Sequence, residues 1–158
     1  MESERLYFRE LLSTDVERLY EIYSDQEAMK YRQSPHHLTI EDTYEMLRRN
    51  REKKENGYEF RFGIISKENQ KLIGSIMYQP IGSKAIIGYS LSKDSWGFGY
   101  ATEVVGWMIN VLKNKNFTSI EAWVLKENLS SCRVLEKNNF KRISQTIYPY
   151  SYFYQKMI

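Results

Sequence analysis

Apolar residues recur along this chain at every second position in some stretches and every third or fourth in others, and the switches mark out its elements. Residues 5–12 predict an opening strand. Val16, Leu19, Tyr20 and Tyr23 then fall at helical intervals behind Thr14 and Glu17, which have capping-box spacing. After a polar loop from Arg32 to His37, Thr39 and Asp42 cap a second helix. That helix turns Tyr44 and Leu47 inward and stops at Asn56-Gly57. Residues 58–66, 71–80 and 85–92 are β-rich, separated by the turn segments Lys67 to Gln70 and Ile81 to Lys84. Gly74 and Gly88 inside those strands mark places where another backbone or a ligand comes close. The clearest helix carries Ala101, Val104, Val105, Met108, Ile109 and Leu112 on one stripe and ends near Asn114 and Asn116. Residues 119–125 read as a strand, 129–137 as a short helix, and 140–147 with 152–157 as a closing strand pair. The order β-α-α-β-β-β-α-β-α-β-β predicts an α/β (α+β) fold, a mixed sheet flanked by helices, in one domain over 1–158.

Charge changes this picture little. Twenty-three Lys and Arg face twenty Asp and Glu, a net +3 spread along the chain. The densest basic run, Arg48 to Glu55, reads as a solvated helix face. It lacks the interleaved aromatics of a nucleic-acid surface, so no nucleic-acid partner is expected. No apolar run approaches the roughly 20 residues that cross a bilayer, and the best, residues 104–112, contains Asn110. The first residues lack the basic start and apolar centre of a secretion signal. One cysteine, Cys132, forms neither an internal disulfide nor a cysteine zinc cage. The expectation is a cytoplasmic protein with no membrane partner and no metal.

Chemistry concentrates in Ser95-Trp96-Gly97-Phe98-Gly99-Tyr100-Ala101-Thr102-Glu103, between a strand and the strongest helix. Free N–H groups at a helix start bind phosphate without a cationic side chain, and glycines 97 and 99 remove the Cβ atoms that would hold a diphosphate away. By itself a lone Gly-x-Gly reads as a plain turn. A dinucleotide fingerprint fails because Thr102 fills its third glycine position, and a P-loop fails for want of Gly-Lys-Ser/Thr.

The segment resembles the pyrophosphate loop of the GNAT N-acetyltransferase superfamily, with Trp96 where most members have Gln or Arg, Gly99 at the fixed glycine and Ala101 at the last small position. Trp-Gly-x-Gly-Tyr-Ala-Thr-Glu is similar to the version in the ribosomal-protein N-terminal acetyltransferase (RimJ/RimL-type) branch. So is Asn128 to Phe140, with Asn139 in place of a glycine, and so are Arg5 to Arg9 and Glu27 to Tyr31, the latter as an acceptor-side helix. The resemblance implies a mostly antiparallel central sheet and acetyl-coenzyme A as cosubstrate. It implies transfer to a primary amine by direct attack, on a protein N-terminus or a small amine such as a polyamine or aminoglycoside.

It also implies roles. Coenzyme A would lie between the strand ending near Ser92 and the strand beginning near Ser119, its pantetheine arm paired with backbone around Leu91 and Ser92. Trp96, Gly97, Phe98, Gly99, Tyr100, Ala101 and Thr102 would meet the pyrophosphate, and Lys137 or Arg133 the 3′-phosphate. Asn128 either binds pantetheine or caps the helix at Leu129. Ser131 either protonates the departing thiolate or bonds its own helix backbone. For the base, His36, His37, Glu121 and water stay open, while Glu103 reads as structural. Cys132 reads as buried and inert rather than as an acyl carrier. Glu41, Asp42 and Glu45 either favour a cationic acceptor or simply form the acidic first turn of a helix. Relatives are often homodimers, for which the aromatic stretch 148–154 offers an interface. A non-catalytic acyl-coenzyme A-binding module or a basic nucleic-acid-binding domain are the alternatives.

Overall fold

A computed structural model describes residues 1–144 and 148–158. The elements are β1 (Leu6–Arg9), α1 (Val16–Ser24), α2 (Ile40–Glu55), β2 (Phe60–Ser66), β3 (Leu72–Ile81), β4 (Lys84–Leu91), α3 (Tyr100–Asn114), β5 (Ser119–Leu125), α4 (Leu129–Lys137), β6 (Lys141–Ile143) and β7 (Ser151–Met157). The order is the one the hydrophobic pattern predicts. The last part of the expected 140–147 strand, residues 145–147, lies outside the described residues. The strands form one sheet in the order β1-β2-β3-β4-β5-β7-β6, antiparallel throughout except for β4 against β5.

The apolar stripe of α3 seats Val104, Val105, Met108 and Leu112 on the sheet, and Trp107 stacks on Phe8 of β1 with ring centroids 3.7 Å apart. α1 and α2 cover the other face through Leu19, Ile22, Tyr23 and Met46. Three local expectations shift. α1 is preceded by a 3-10 turn, Ser13–Asp15, and Asp15 rather than Glu17 reaches back, accepting the Leu12 amide at 2.7 Å. α1 buries Ile22 instead of Tyr20. In α2 the buried side chains are Thr43 and Met46, not Tyr44, because the helix is rotated to put the Thr43 hydroxyl 2.8 Å from His37 Nδ1. Glu27 to Tyr31 forms successive turns anchored by the Asp25 side chain rather than a helix.

The end of α4 explains the Asn139 departure. Phe140 N–H donates to Leu135 O and Asn139 N–H to Glu136 O, a Schellman closure that needs the left-handed φ of +60° at Asn139.

One register controls the rest. β4 and β5 pair in parallel only from Lys84–Ser119 to Ile86–Glu121, and beyond those three pairs the strands part. The remainder of β4 stays paired with β3 as far as Gly74–Leu91, where a Cβ on Gly74 would stand 2.1 Å from Ser90 O.

Candidate active site

The parting of β4 and β5 opens a cavity of about 1050 Å³ that runs through the sheet. On one side lie Asn128 at the start of α4 and Ser131 and Leu135 within it; on the other lie the 31–38 loop, α2, Glu59 and Arg61 at the start of β2, and Met77 and Gln79 of β3. Ile87, Gly88, Tyr89 and Ser90 of β4 and Ala122 to Leu125 of β5 form its edges.

Asn128 and Ser131 come together as expected. The Asn128 carbonyl oxygen accepts the Ser131 amide at 3.2 Å, so the residue is the N-cap of α4, and its Nδ2 donors stay uncommitted. The Ser131 hydroxyl does not bond its own helix; instead Tyr89 donates its phenol hydrogen to Ser131 Oγ at 3.2 Å. Desolvation pushes the Tyr89 phenol up to about 12, so it keeps that hydrogen at neutral pH. A hydroxyl that accepts from Tyr89 keeps its own hydrogen to donate, and Ser131 lines the cavity. Sequence reasoning missed Tyr89. The signal was present: Ala85, Ile87, Tyr89 and Leu91 share one strand face, and a phenol on an otherwise apolar face requires a partner.

The glycine loop has the conformation its residues suggest. Gly97 and Gly99 take φ of +84° and +79°, and Gly99 is the N-cap of α3 with no side chain capping the first turn. Arg5 holds the loop from behind. Its Nη1 donates to Phe98 O at 2.8 Å, and its backbone N–H and Nε donate to Glu103 at 2.7 Å each, so Glu103 ties α3 to the N-terminal segment.

Around Leu91 the arrangement differs from the sequence expectation. Ser92 N–H bonds β3, so by alternation Tyr89 and Leu91 turn their backbone groups to the gap. Leu91 O already accepts the Trp96 indole N–H at 3.2 Å, which leaves Tyr89 as the better-placed edge beyond the last β4–β5 pair. The Ser92 hydroxyl is buried against Ser95 Oγ at 2.8 Å, away from the cavity. Ala101 and Tyr100 pack on the core, and Thr102 O accepts from Asn138, tying α3 to α4. Lys137 is exposed.

On the α2 side a buried ion cluster lines the cavity. Glu59, 3% exposed, accepts from Lys53 and Arg61 at 2.9 Å each and from Gln79 at 3.2 Å. Burial alone would raise its pKa, but the two cations outweigh that and hold it below the usual range. His36 and His37 both line the cavity; burial, reinforced by Arg32, lowers the His37 pKa and keeps it neutral. Glu121 lies off the cavity, 3.2 Å from Lys84. Cys132 is buried beneath α4, and the described residues hold no group of three or more His, Cys, Asp or Glu side chains able to bind a metal.

Residues 5–141 match the family model for the Acetyltransferase (GNAT) domain. The chain belongs to the GNAT acetyltransferase family. Across 144 residues it is 31% identical to the uncharacterized N-acetyltransferase p20 of Bacillus licheniformis, spanning 89% of this chain and 81% of that one. A GNAT-family acetyltransferase of Bacillus anthracis superposes with a TM-score of 0.86 at 26% identity, covering 99% and 96% of the two chains. RimL, the ribosomal L7/L12 alpha-N-protein acetyltransferase solved with coenzyme A, has the same fold with a TM-score of 0.83 at 20% identity over 99% of this chain and 96% of its own. This GNAT chain is an acetyl-CoA-dependent N-acetyltransferase. Its residues fit that cosubstrate: an uncapped helix start with two side-chain-free positions for a diphosphate, and a parted strand edge leading inward. No helix among the described residues is long and apolar enough to cross a membrane.

Proposed function

We propose that the acetyltransferase joins acetyl-CoA and a primary amine inside the cavity between β4 and β5, the amine attacking the thioester carbonyl directly. The observation that carries this reading is the continuous cavity from Ser131 on α4, past Tyr89, to the 31–38 loop and α2. The amine enters from the α2 side and the thioester from the α4 side. Gly97 to Thr102 hold the diphosphate by backbone N–H groups, Tyr89 backbone and Asn128 Nδ2 hold the pantetheine, and exposed Lys137 meets the 3′-phosphate.

As the new C–N bond forms, the C–S bond breaks; the amine nitrogen gives its proton to solvent, and the sulfur takes one from Ser131, which regains its hydrogen from solvent. Ser131 supplies the sulfur's proton, its hydroxyl oriented by the hydrogen bond from Tyr89. A thiolate leaves readily because its conjugate thiol has a pKa near ~8.5, so a nearby hydroxyl suffices.

Isothermal titration with acetyl-CoA tests the loop assignment. Gly99→Val puts a β-branched residue at φ +79°, where the nearest non-neighbouring atom is a distant Arg5 Nη2 at 3.7 Å, so the damage is conformational and local. Affinity should fall at least roughly tenfold while the circular dichroism spectrum stays native, since left-handed backbone costs an L-residue about 1–2 kcal/mol. Unchanged affinity would overturn the assignment.

A further inference from the structure

We propose that the acceptor amine carries an oxyanion, a carboxylate or phosphate group, and that Arg32 with Asn50 recognises it on the α2 side of the cavity. The inference rests on reading that side as the acceptor site. Among the described residues, two buried side-chain polar atoms have no hydrogen-bond partner, Arg32 Nη1 and Asn50 Nδ2. Both are donors, and both belong to residues that line this one cavity. Buried donors in folded proteins are almost always satisfied, so two in one wall point to an acceptor that arrives with the substrate.

The charges of the wall agree. Two of the three carboxylates there are ion-paired: Glu45 binds Arg48 and Arg49, and Glu59 binds Lys53 and Arg61. The third, Asp42, accepts the Leu38 and Thr39 amides at 2.8 and 3.0 Å through one oxygen. A cationic acceptor such as a polyamine therefore meets only Asp42 without a cationic partner among these groups. Arg32 is the reverse case. Among the described residues it makes no ion pair, and its guanidinium lies 4.4 Å from the Tyr23 ring centroid, which fixes its plane. Burial lowers its pKa; Tyr23 and Glu59 push the other way, Arg61 adds to the lowering, and the net direction is down. An anion placed against it offsets that net cost, and the planar fork matches a carboxylate or phosphate. Asp42 thus serves helix capping and Glu45 surface pairing.

The test is initial-rate thiol release with amine pairs that differ only in the anion. β-Alanine is set against β-alaninamide, phosphoethanolamine against ethanolamine, and an amidated Ala-Asp-Ala tripeptide against Ala-Asn-Ala, so the arms separate free carboxylate, phosphate and peptide sources. In at least one arm the anionic amine should exceed its neutral partner in kcat/KM by roughly tenfold, the worth of one charge-assisted hydrogen bond. Arg32→Gln should bring that ratio to within about twofold of one, with Arg32→Lys between, and acetyl-CoA affinity by titration should not change. Ser131→Ala should slow both members of a pair equally and leave the ratio intact, so failure of the proton-donor reading is told apart from failure of this one. Ratios near one in every arm, faster turnover of spermidine, a ratio that survives Arg32→Gln, or no thiol release from any of these amines while acetyl-CoA binds would each overturn the proposal.

Discussion

The Tyr89–Ser131 pair makes the sharpest claim on the chemistry, because it assigns Tyr89 an effect that exists only through its neighbour. Tyr89→Phe keeps the ring against the core and deletes the one hydrogen bond, 3.2 Å long, that orients the Ser131 hydroxyl. A neutral hydrogen bond of that length contributes about 1 kcal/mol, so kcat should fall about fivefold. Ser131→Ala removes the donor itself. General acids contribute roughly 100-fold or more, but the good thiolate leaving group keeps this case near the lower end. The assay is thiol release at saturating amine and acetyl-CoA for the wild type, both single variants and the double variant. If Tyr89 acts by holding Ser131, adding Tyr89→Phe to Ser131→Ala costs nothing further, and the double-mutant cycle shows a coupling of about 1 kcal/mol. Independent losses that multiply would refute the relay. A fall in acetyl-CoA affinity matching the fall in rate would reassign Tyr89 to binding.

Two further predictions concern stability. Gly74→Ala should lower the melting temperature strongly, because its Cβ would stand 2.1 Å from Ser90 backbone oxygen and overpacking costs about 1–3 kcal/mol or more. Gly88→Ala, which meets the mobile end of Met77 at 3.0 Å, should be milder, and equal melting temperatures would contradict the close approach. For His37 the folded pKa lies below 6.5, so the unfolded chain binds the extra proton and stability falls as pH drops through 6.5. The loss is limited to about 1.4 kcal/mol per pH unit and stops at the folded pKa. Urea melts at pH 7.5 and 5.0 should differ less in His37→Gln than in the wild type; identical differences would show that His37 is not held neutral.

Elements whose cause is local were legible in the sequence. α4 and β5 have the expected bounds because Asn128 caps one, a Schellman turn at Asn139 closes it, and alternation defines the other. The helix stripe of α3 and the positive-φ glycines before it were legible for the same reason. Orientation was less so: α2 turns Thr43 and not Tyr44 inward because of His37, a residue outside the helix. Backbone around Leu91 was expected to pair with the pantetheine; the indole five residues later takes the Leu91 carbonyl, a contact no periodicity encodes. The α2-side wall of the cavity was hardest to see, since Arg32, Asn50 and Glu59 come from a loop, a helix and a strand end. One clue lay in the strand itself: Glu59 and Arg61 alternate with Phe60 and Phe62, which puts two opposite charges on one face.

A single irregularity underlies both halves of the site. Had β4 and β5 stayed paired past Ile86–Glu121, their backbone groups would satisfy each other and the sheet would be closed. Because they part, Tyr89 backbone is left as an edge, its phenol reaches across to α4, and the cavity runs from Ser131 to the wall that holds Arg32 and Asn50. Uncommitted donors thus stand in two places, the backbone N–H groups at the start of α3, outside the cavity lining, and Arg32 and Asn50 within it. Two such sets suit two substrates that each carry negative charge. On that logic the anion of the acceptor does more than add affinity. It fixes the amine at a set distance from Ser131, so losing Arg32 should lower kcat as well as raise KM for the anionic amine.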